Sequence, residues 1–367
     1  MKTLHIEMGR HRLGGTMQVY YLIRGLRARG EPAVLVCARG GDLHRLAEAD
    51  GLNLRAVDFA GDIDLRFIWR LAAILRAERP DVIHIHSRRG ADTLGLLAAK
   101  LTGIGKVVLS RRVDDPVKPG WLTRLRYVTL PDRVVTVSKG IARVLIEAGV
   151  PAEGIRQVYS AIDFRAYQSA LDVAQARAKL DLPAGVPVLV VIAQLIPRKG
   201  HRFLLQALPR IRAVHPDTQV LFVGEGAEEA TLRGAVSAAG LDSCVRFLGY
   251  RNDIGDILRA CDVLVHPATM EGFANVAMQA MASGIPVVSS AVGGMPESVR
   301  HEVTGLLVPP QDPAALADAL LRLLGDPALR QRLGAQGREI VEREFNTDAM
   351  VEGNLAVYRE LLGGGRA

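Results

Sequence analysis

Cysteine is scarce in this chain. Cys37, Cys244 and Cys261 are the three among 367 residues, and they lie far apart with no CxxC pair. This excludes a disulfide framework, argues against structural zinc and suits a reducing compartment. Aromatic residues make up 5% of the chain, with two tryptophans. No aromatic platform or nucleic-acid-binding motif stands out, so a nucleic-acid partner is not expected. No apolar run reaches the roughly 18 residues that a membrane-spanning helix needs. The opening MKTLHIEMGR reads as the start of a strand rather than a signal peptide. Sustained internal repeats are also lacking. The expected location is the cytoplasm.

What is present is ordinary for a soluble globular protein: 49% hydrophobic and 23% charged residues. The length accommodates two α/β domains. Net charge is +7, but it is unevenly spread. Residues 1–163 hold 26 Lys and Arg against 17 Asp and Glu; the rest hold 20 against 22. A basic first half suggests an anionic partner: a phosphate-bearing acceptor, an anionic membrane surface or, on charge alone, nucleic acid. Short apolar strands alternate with helical periodicity throughout, as in doubly wound α/β domains. Strands are expected at Leu4–Met8, Ala33–Cys37, Asp81–His86, Lys106–Ser110 and Asp132–Val137. A second series falls at Val188–Ala193, Val220–Val223, Val245–Leu248, Cys261–His266 and Ile285–Val288. Residues 165–186, helical and then rich in Pro and Gly, suit a linker.

Several residues could carry chemistry, and each also has an ordinary reading. Gly9 to Gly15 is a polar loop between a strand and a helix, where glycine permits close backbone approach to a ligand. Asp62-Ile63-Asp64 has the form of a metal-binding DxD, but it precedes a helical stretch and reads as capping acids. His84 and His86 share one strand face, and no third ligand stands at a suggestive spacing for zinc. Arg111-Arg112 follows a strand and is either a surface pair or an anion clamp. Lys118 to Tyr127 mixes bulky apolar and basic residues: a packed helix with an exposed basic face, or a membrane-resting segment. Lys199-Gly200 lies in a strand–helix loop. Alone it reads as a solvated lysine, although a lysine there could neutralise a diphosphate. Glu271 precedes a helix that ends at Ser283-Gly284. The amides of Phe273, Ala274 and Asn275 head that helix, where the dipole favours negative charge. Without more, Glu271 is as readily a capping acid.

The stretch Glu271-Gly272-Phe273 through Ala280-Met281-Ala282-Ser283-Gly284-Ile285-Pro286-Val287-Val288 resembles the signature of the group 1 glycosyltransferases of family 4. Lys199-Gly200, Gly224-Glu225-Gly226, Gly249-Tyr250-Arg251 and Gly293-Gly294 follow the family in the right order. The resemblance implies the GT-B fold: two Rossmann-like, doubly wound parallel-sheet domains facing a cleft. Residues 1–164 would bind the acceptor and 165–345 a UDP-, GDP- or ADP-sugar, with a helix at about 346–367 packing back on the first domain. It further implies a retaining, metal-independent transfer to a hydroxyl of a glycan or lipid-linked acceptor, with no cofactor. Lipopolysaccharide or polysaccharide synthesis, at the cytoplasmic face of a membrane, would suit such an enzyme. By the same carry-over, Lys199 contacts the diphosphate and Glu271 the donor sugar. Gly15, Gln194, Arg198, Gly224, Tyr250, Arg251, Phe273, Ala274, Asn275 and Gln279 complete the donor side. His86, Arg111 and Arg112 lie on the acceptor side. Three positions depart from the family. Gln279 stands for a ribose-binding glutamate, Ala193-Gln194 for Gly-Arg, and Arg112 for a frequent His. These departures keep a non-catalytic GT-B-fold binding or scaffold protein as the alternative. An epimerase on the same fold would need a dedicated acid–base pair, which the sequence does not display.

Overall fold

The computed structural model describes residues 1–11, 14–61, 63–87 and 90–363. The chain divides into two compact units, Met1–Ala161 with Thr347–Ala367, and Ile162–Asn346. The divide falls just before the expected boundary because Ile162 bridges to Asn346 and donates its amide to the Phe345 carbonyl at 3.0 Å.

Among the described residues, the first unit carries a seven-stranded sheet. Its strands are β1 Thr3–Glu7, β2 Ala33–Ala38, β3 Leu54–Val57, β4 Val82–Ile85, β5 Lys106–Arg111, β6 Arg133–Thr136 and β7 Ile155–Gln157. Their order is β3-β2-β1-β4-β5-β6-β7. The second unit carries β8 Val188–Ile192, β9 Gln219–Val223, β10 Val245–Phe247, β11 Val263–His266, β12 Val287–Ser290 and β13 Gly305–Val308, ordered β10-β9-β8-β11-β12-β13. All pairings are parallel. Both sheets are therefore doubly wound, and each reverses direction once, at β1/β4 and at β8/β11. In such sheets ligands bind beyond the carboxyl ends of the strands at the reversal.

The sequence pattern explains the layering. Parallel strands covered on both faces need near-continuous apolar runs, and VLVVI, QVLFV and VLVH supply them. Leu189, Val191, Phe222 and Val265 pack against Leu204, Leu208 and Ile211 of the helix His201–Val214. Leu316, Leu320 and Leu323 of the helix Pro313–Gly325 join the same core. Each such side chain, fully buried, contributes about 2 kcal/mol. The terminal helix Thr347–Leu361 packs Val351, Leu355 and Tyr358 with Leu22 and Leu26 of the helix Gly14–Ala28, within the first unit.

Two local expectations are corrected. Residues 165–186 are not a free linker: Ala176, Leu180 and Leu182 are buried. Asp172 and Gln175 form a reciprocal cap, and the Arg177 guanidinium pairs with Asp262 at 3.1 Å. Three strands at sheet edges, β3, β7 and β13, were not anticipated; the short LRAV and IRQ segments interleave polar residues with apolar ones, and the four-residue GLLV opens on a glycine.

Candidate active site

In the second unit the loops leaving β8 and β11 meet at the sheet reversal. The β8 loop makes one tight turn over Pro197–Lys199, and Gly200 follows at φ +73°. A Cβ on Gly200 would lie 1.9 Å from the Pro267 carbonyl oxygen, so only glycine fits. The Thr269 amide donates to the Arg198 carbonyl at 2.8 Å and stitches the loops together. This brings Lys199 Nζ to 2.5 Å from Glu271 Oε2. His266, the last residue of β11, places Nε2 at 3.0 Å from the same oxygen.

The charges can be assigned. Burial pushes the Glu271 carboxyl up. The His266 hydrogen bond and the Lys199 charge more than reverse this and hold it well below the usual carboxylate range. Burial lowers His266, so a neutral imidazole donates its Nε2–H to an ionised Glu271. His201, equally buried, is lowered to about 4, chiefly by burial, with the Lys199 charge adding. Its Nε2 has no hydrogen-bond partner among the described residues.

The other residues expected on the donor side are placed unevenly. Gly224 has φ +137°, and a Cβ there would sit 2.0 Å from the Ala193 carbonyl, so the β8 and β9 loops touch through backbone. Gln194 and Arg198 are exposed. Tyr250 is exposed, with its amide 3.4 Å from Glu225 Oε1. Arg251 is held in a bidentate pair with Asp253, at 2.8 and 2.6 Å. Phe273 and Ala274 are buried, Asn275 opens the helix Asn275–Ala282, and no side chain caps that helix. Gln279 Nε2 donates to the Tyr167 hydroxyl at 2.9 Å.

The first unit gathers a polar cluster at its own sheet reversal. His5 on β1 stands in register with His84 on β4. The nitrogens of His5, His84 and His86 lie within 4.8 Å of one another, a spacing that could hold a metal ion. The third ligand that the sequence lacked is thus His5, brought in by strand pairing. The nitrogens are engaged, however. His84 bonds Tyr358 Oη (2.5 Å) and Ser110 Oγ (2.8 Å), and His5 bonds Thr3 Oγ1 (3.0 Å) and His86 Nε2 (3.1 Å). Arg112 Nη2 donates to His86 Nδ1 at 3.1 Å. Glu7 is buried; burial raises its carboxyl, while the Gly9 amide, 2.7 Å away, opposes the rise. Gly15 lies beside Arg112, with 3.7 Å from a built Cβ to Arg112 Cδ.

Arg111 and Arg112 are not a surface pair. Arg111 donates to the Tyr127 hydroxyl at 2.7 Å and to the Asp115 carbonyl at 2.5 Å, and both arginines are half-buried. The segment after Pro119 differs from a helix with an exposed basic face. Trp121 and Leu122 are exposed, while Arg126 turns to buried Asp92. Asp64 pairs with Arg70 at 2.5 Å and accepts from the Ala60 amide; Asp62 lies outside the described residues.

Two family models match the chain: glycosyl transferases group 1 over residues 172–340, and glycosyltransferase family 4 over 14–165. A GDP-mannose-dependent monoacylated alpha-(1-6)-phosphatidylinositol monomannoside mannosyltransferase of Corynebacterium glutamicum is 33% identical over 299 residues, covering 77% of each chain. The chain belongs to the group 1 glycosyltransferases. This group 1 enzyme is also similar, at 29% identity over 99% of each chain, to the lipopolysaccharide core biosynthesis glycosyltransferase LpsE of Rhizobium meliloti. The crystal structure of HepE from Anabaena in complex with UDP superposes with a TM-score of 0.86 at 22% identity, covering all of both chains. The glycosyltransferase fold is accordingly GT-B.

Reading the sequence of this glycosyltransferase missed His266, His201, His5, Glu7 and Tyr358. A signal existed for His266 and His5. His266 ends an otherwise apolar strand and His5 sits between Leu4 and Ile6, and a buried titratable residue is either paired or functional. Tyr358 is distant in sequence from its partner His84, and nothing local announces it.

Proposed function

We propose that this glycosyltransferase moves a sugar from a nucleoside-diphosphate sugar to a hydroxyl of a glycan or lipid-linked acceptor, with retention of anomeric configuration and without a divalent metal. The observation that carries the reading is the Lys199–Glu271–His266 triad at the sheet reversal of the second unit. The C1–phosphate bond breaks, and the electron pair leaves with the diphosphate. The acceptor oxygen bonds C1 on the same face, and its proton passes to the departing phosphate oxygen. Charge therefore grows on the phosphate and on an oxocarbenium-like ring. Lys199 has two further N–H donors beyond the one facing Glu271, and they can neutralise that phosphate. Glu271, kept ionised, accepts from sugar hydroxyls, with the amides of Phe273 and Ala274 beside it. Neutral His266 fixes the carboxylate and takes no proton. Gln279 can still donate to and accept from ribose hydroxyls, more weakly than a charged carboxylate would.

Relatives support the substrate class. HepE has been crystallised with UDP-glucose, and LpsE acts in lipopolysaccharide core synthesis by name. No helix among the described residues is long and apolar enough to cross a membrane. Exposed Trp121 and Leu122 beside basic residues suit resting on an anionic membrane surface.

The test is turnover of a panel of UDP-, GDP- and ADP-sugars in EDTA, with the product anomer read by proton NMR. Slow donor hydrolysis with retained configuration supports the reading. An inverted product or strict dependence on added metal contradicts it. A Gln279-weakened scaffold would give neither binding nor turnover.

A further inference from the structure

Arg112 is unusually placed for a cation. Its Nε is sealed from solvent and has no hydrogen-bond partner among the described residues. No described carboxylate lies within ion-pair distance of it. Its guanidinium instead donates to a neutral acceptor, His86 Nδ1, at 3.1 Å. The carboxyl whose charge it feels, Glu7, is buried and hydrogen-bonded to Gly9 instead. Burial draws the guanidinium down to about 10, and it stays charged at neutral pH. A buried charge without a counterion is costly, and proteins retain one where a ligand supplies the opposite charge.

The bond to Arg112 also orders the histidines. A guanidinium can only donate, so His86 Nδ1 must be bare and its proton must sit on Nε2. That proton points at His5 Nδ1, 3.1 Å away, so His5 carries its own proton on Nε2 and gives it to Thr3 Oγ1 at 3.0 Å. Every donor meets an acceptor along Arg112–His86–His5–Thr3. The chain is anchored on β1 and orients one edge of the guanidinium, leaving Nε for another group. A cation among the three imidazoles would have to break this order and sit beside Arg112.

We propose that Arg112, positioned by His86 and His5, is an anion site in the first unit that takes a phosphate or carboxylate of the acceptor. The site stands on its own geometry; its assignment to the acceptor rests on the proposed transfer reaction. His5 and His86 are positioning residues that act through Arg112.

The experiment uses full-length protein with 15N-labelled histidine. Long-range proton–nitrogen spectra at about pH 7 should show His5 and His86 neutral, each protonated on Nε2. Inorganic phosphate and glucose 6-phosphate should shift the His86 signals equally in wild type and in Lys199→Ala. Arg112→Met should weaken that binding by about tenfold or more and leave His86 a mixture of tautomers. Arg112→Lys, which keeps the charge, should restore part of the affinity but not the tautomer. Three results would overturn the proposal. Phosphate binding lost in Lys199→Ala and kept in Arg112→Met would place the anion on the donor side. UDP shifting His86, with weaker UDP binding in Arg112→Met, would do the same. Stoichiometric Zn2+ binding that moves all three histidines would make the cluster a metal site.

Discussion

Replacing Lys199 with Met removes the ammonium and keeps most of the side chain's bulk. Glu271 then loses the charge that sits 2.5 Å from it, while both side chains are only 13% exposed. Breaking a buried ion pair by removing one partner costs about 3–5 kcal/mol. His266 still donates to the carboxylate, so a loss of about 2–3 kcal/mol is expected at neutral pH. The pH dependence carries the stronger test. In wild type the folded Glu271 is held below its unfolded value of about 4.3. Its contribution is therefore complete above that value and is lost as the pH falls through the folded pKa. In Lys199→Met burial dominates and lifts the folded pKa above 4.3. The penalty is then present at neutral pH and is relieved on acidification. The gap between the two proteins in urea-unfolding midpoint should shrink as the pH falls from about 7 toward about 4. The double variant Lys199→Met/Glu271→Gln should recover most of the loss, since no bare charge remains. A gap that is constant across this range, or a double variant no better than the single one, would refute the assignment of Glu271 as a buried carboxylate held by Lys199.

Gly200→Ala should destabilise by at least about 2 kcal/mol and abolish donor binding, because the Cβ collides with the Pro267 carbonyl at a left-handed φ; thermal unfolding and calorimetry read both effects. Gln279→Glu should change stability by less than about 1 kcal/mol, since a carboxylate can accept from the Tyr167 hydroxyl instead of donating to it. Its donor affinity should hold or tighten, and much poorer affinity would contradict a ribose-facing role. Cys37, Cys244 and Cys261 have thiols raised by burial, Cys37 to about 11. Buried Cys37 and Cys244, and half-buried Cys261 whose thiol donates to the Ile257 carbonyl, should resist a disulfide reagent at about pH 8 until urea unfolds the chain; rapid labelling of the native protein would contradict the raised thiols.

Much of the fold was legible because parallel strands covered on both faces must be apolar throughout. VLVVI and VLVH could hardly be anything else, and glycine or proline closes each unit. The edge strands β3 and β7 escaped because edge positions tolerate polar residues. The centre formed by Lys199 and Glu271 was legible only through the family's spacing. Neither residue type nor periodicity separates a solvated lysine from a buried one. His266 was passed over because its meaning comes from the loop that folds Glu271 back over it. In the first unit the sequence showed His84 and His86 on one face but not His5, whose place depends on β1 lying beside β4. Arg112 was visible as a departure from the family, and its isolation from the described carboxylates became visible only in three dimensions.

The central claim is a nucleotide-sugar site built on Lys199 and Glu271. The most direct measurement is calorimetric titration of the full-length protein, in EDTA, with UDP-, GDP- and ADP-sugars, alongside Lys199→Ala and Glu271→Ala. The account predicts one preferred donor, bound without metal and lost in both variants while both remain folded. Binding that survives in both variants, or no binding of any donor, would contradict it.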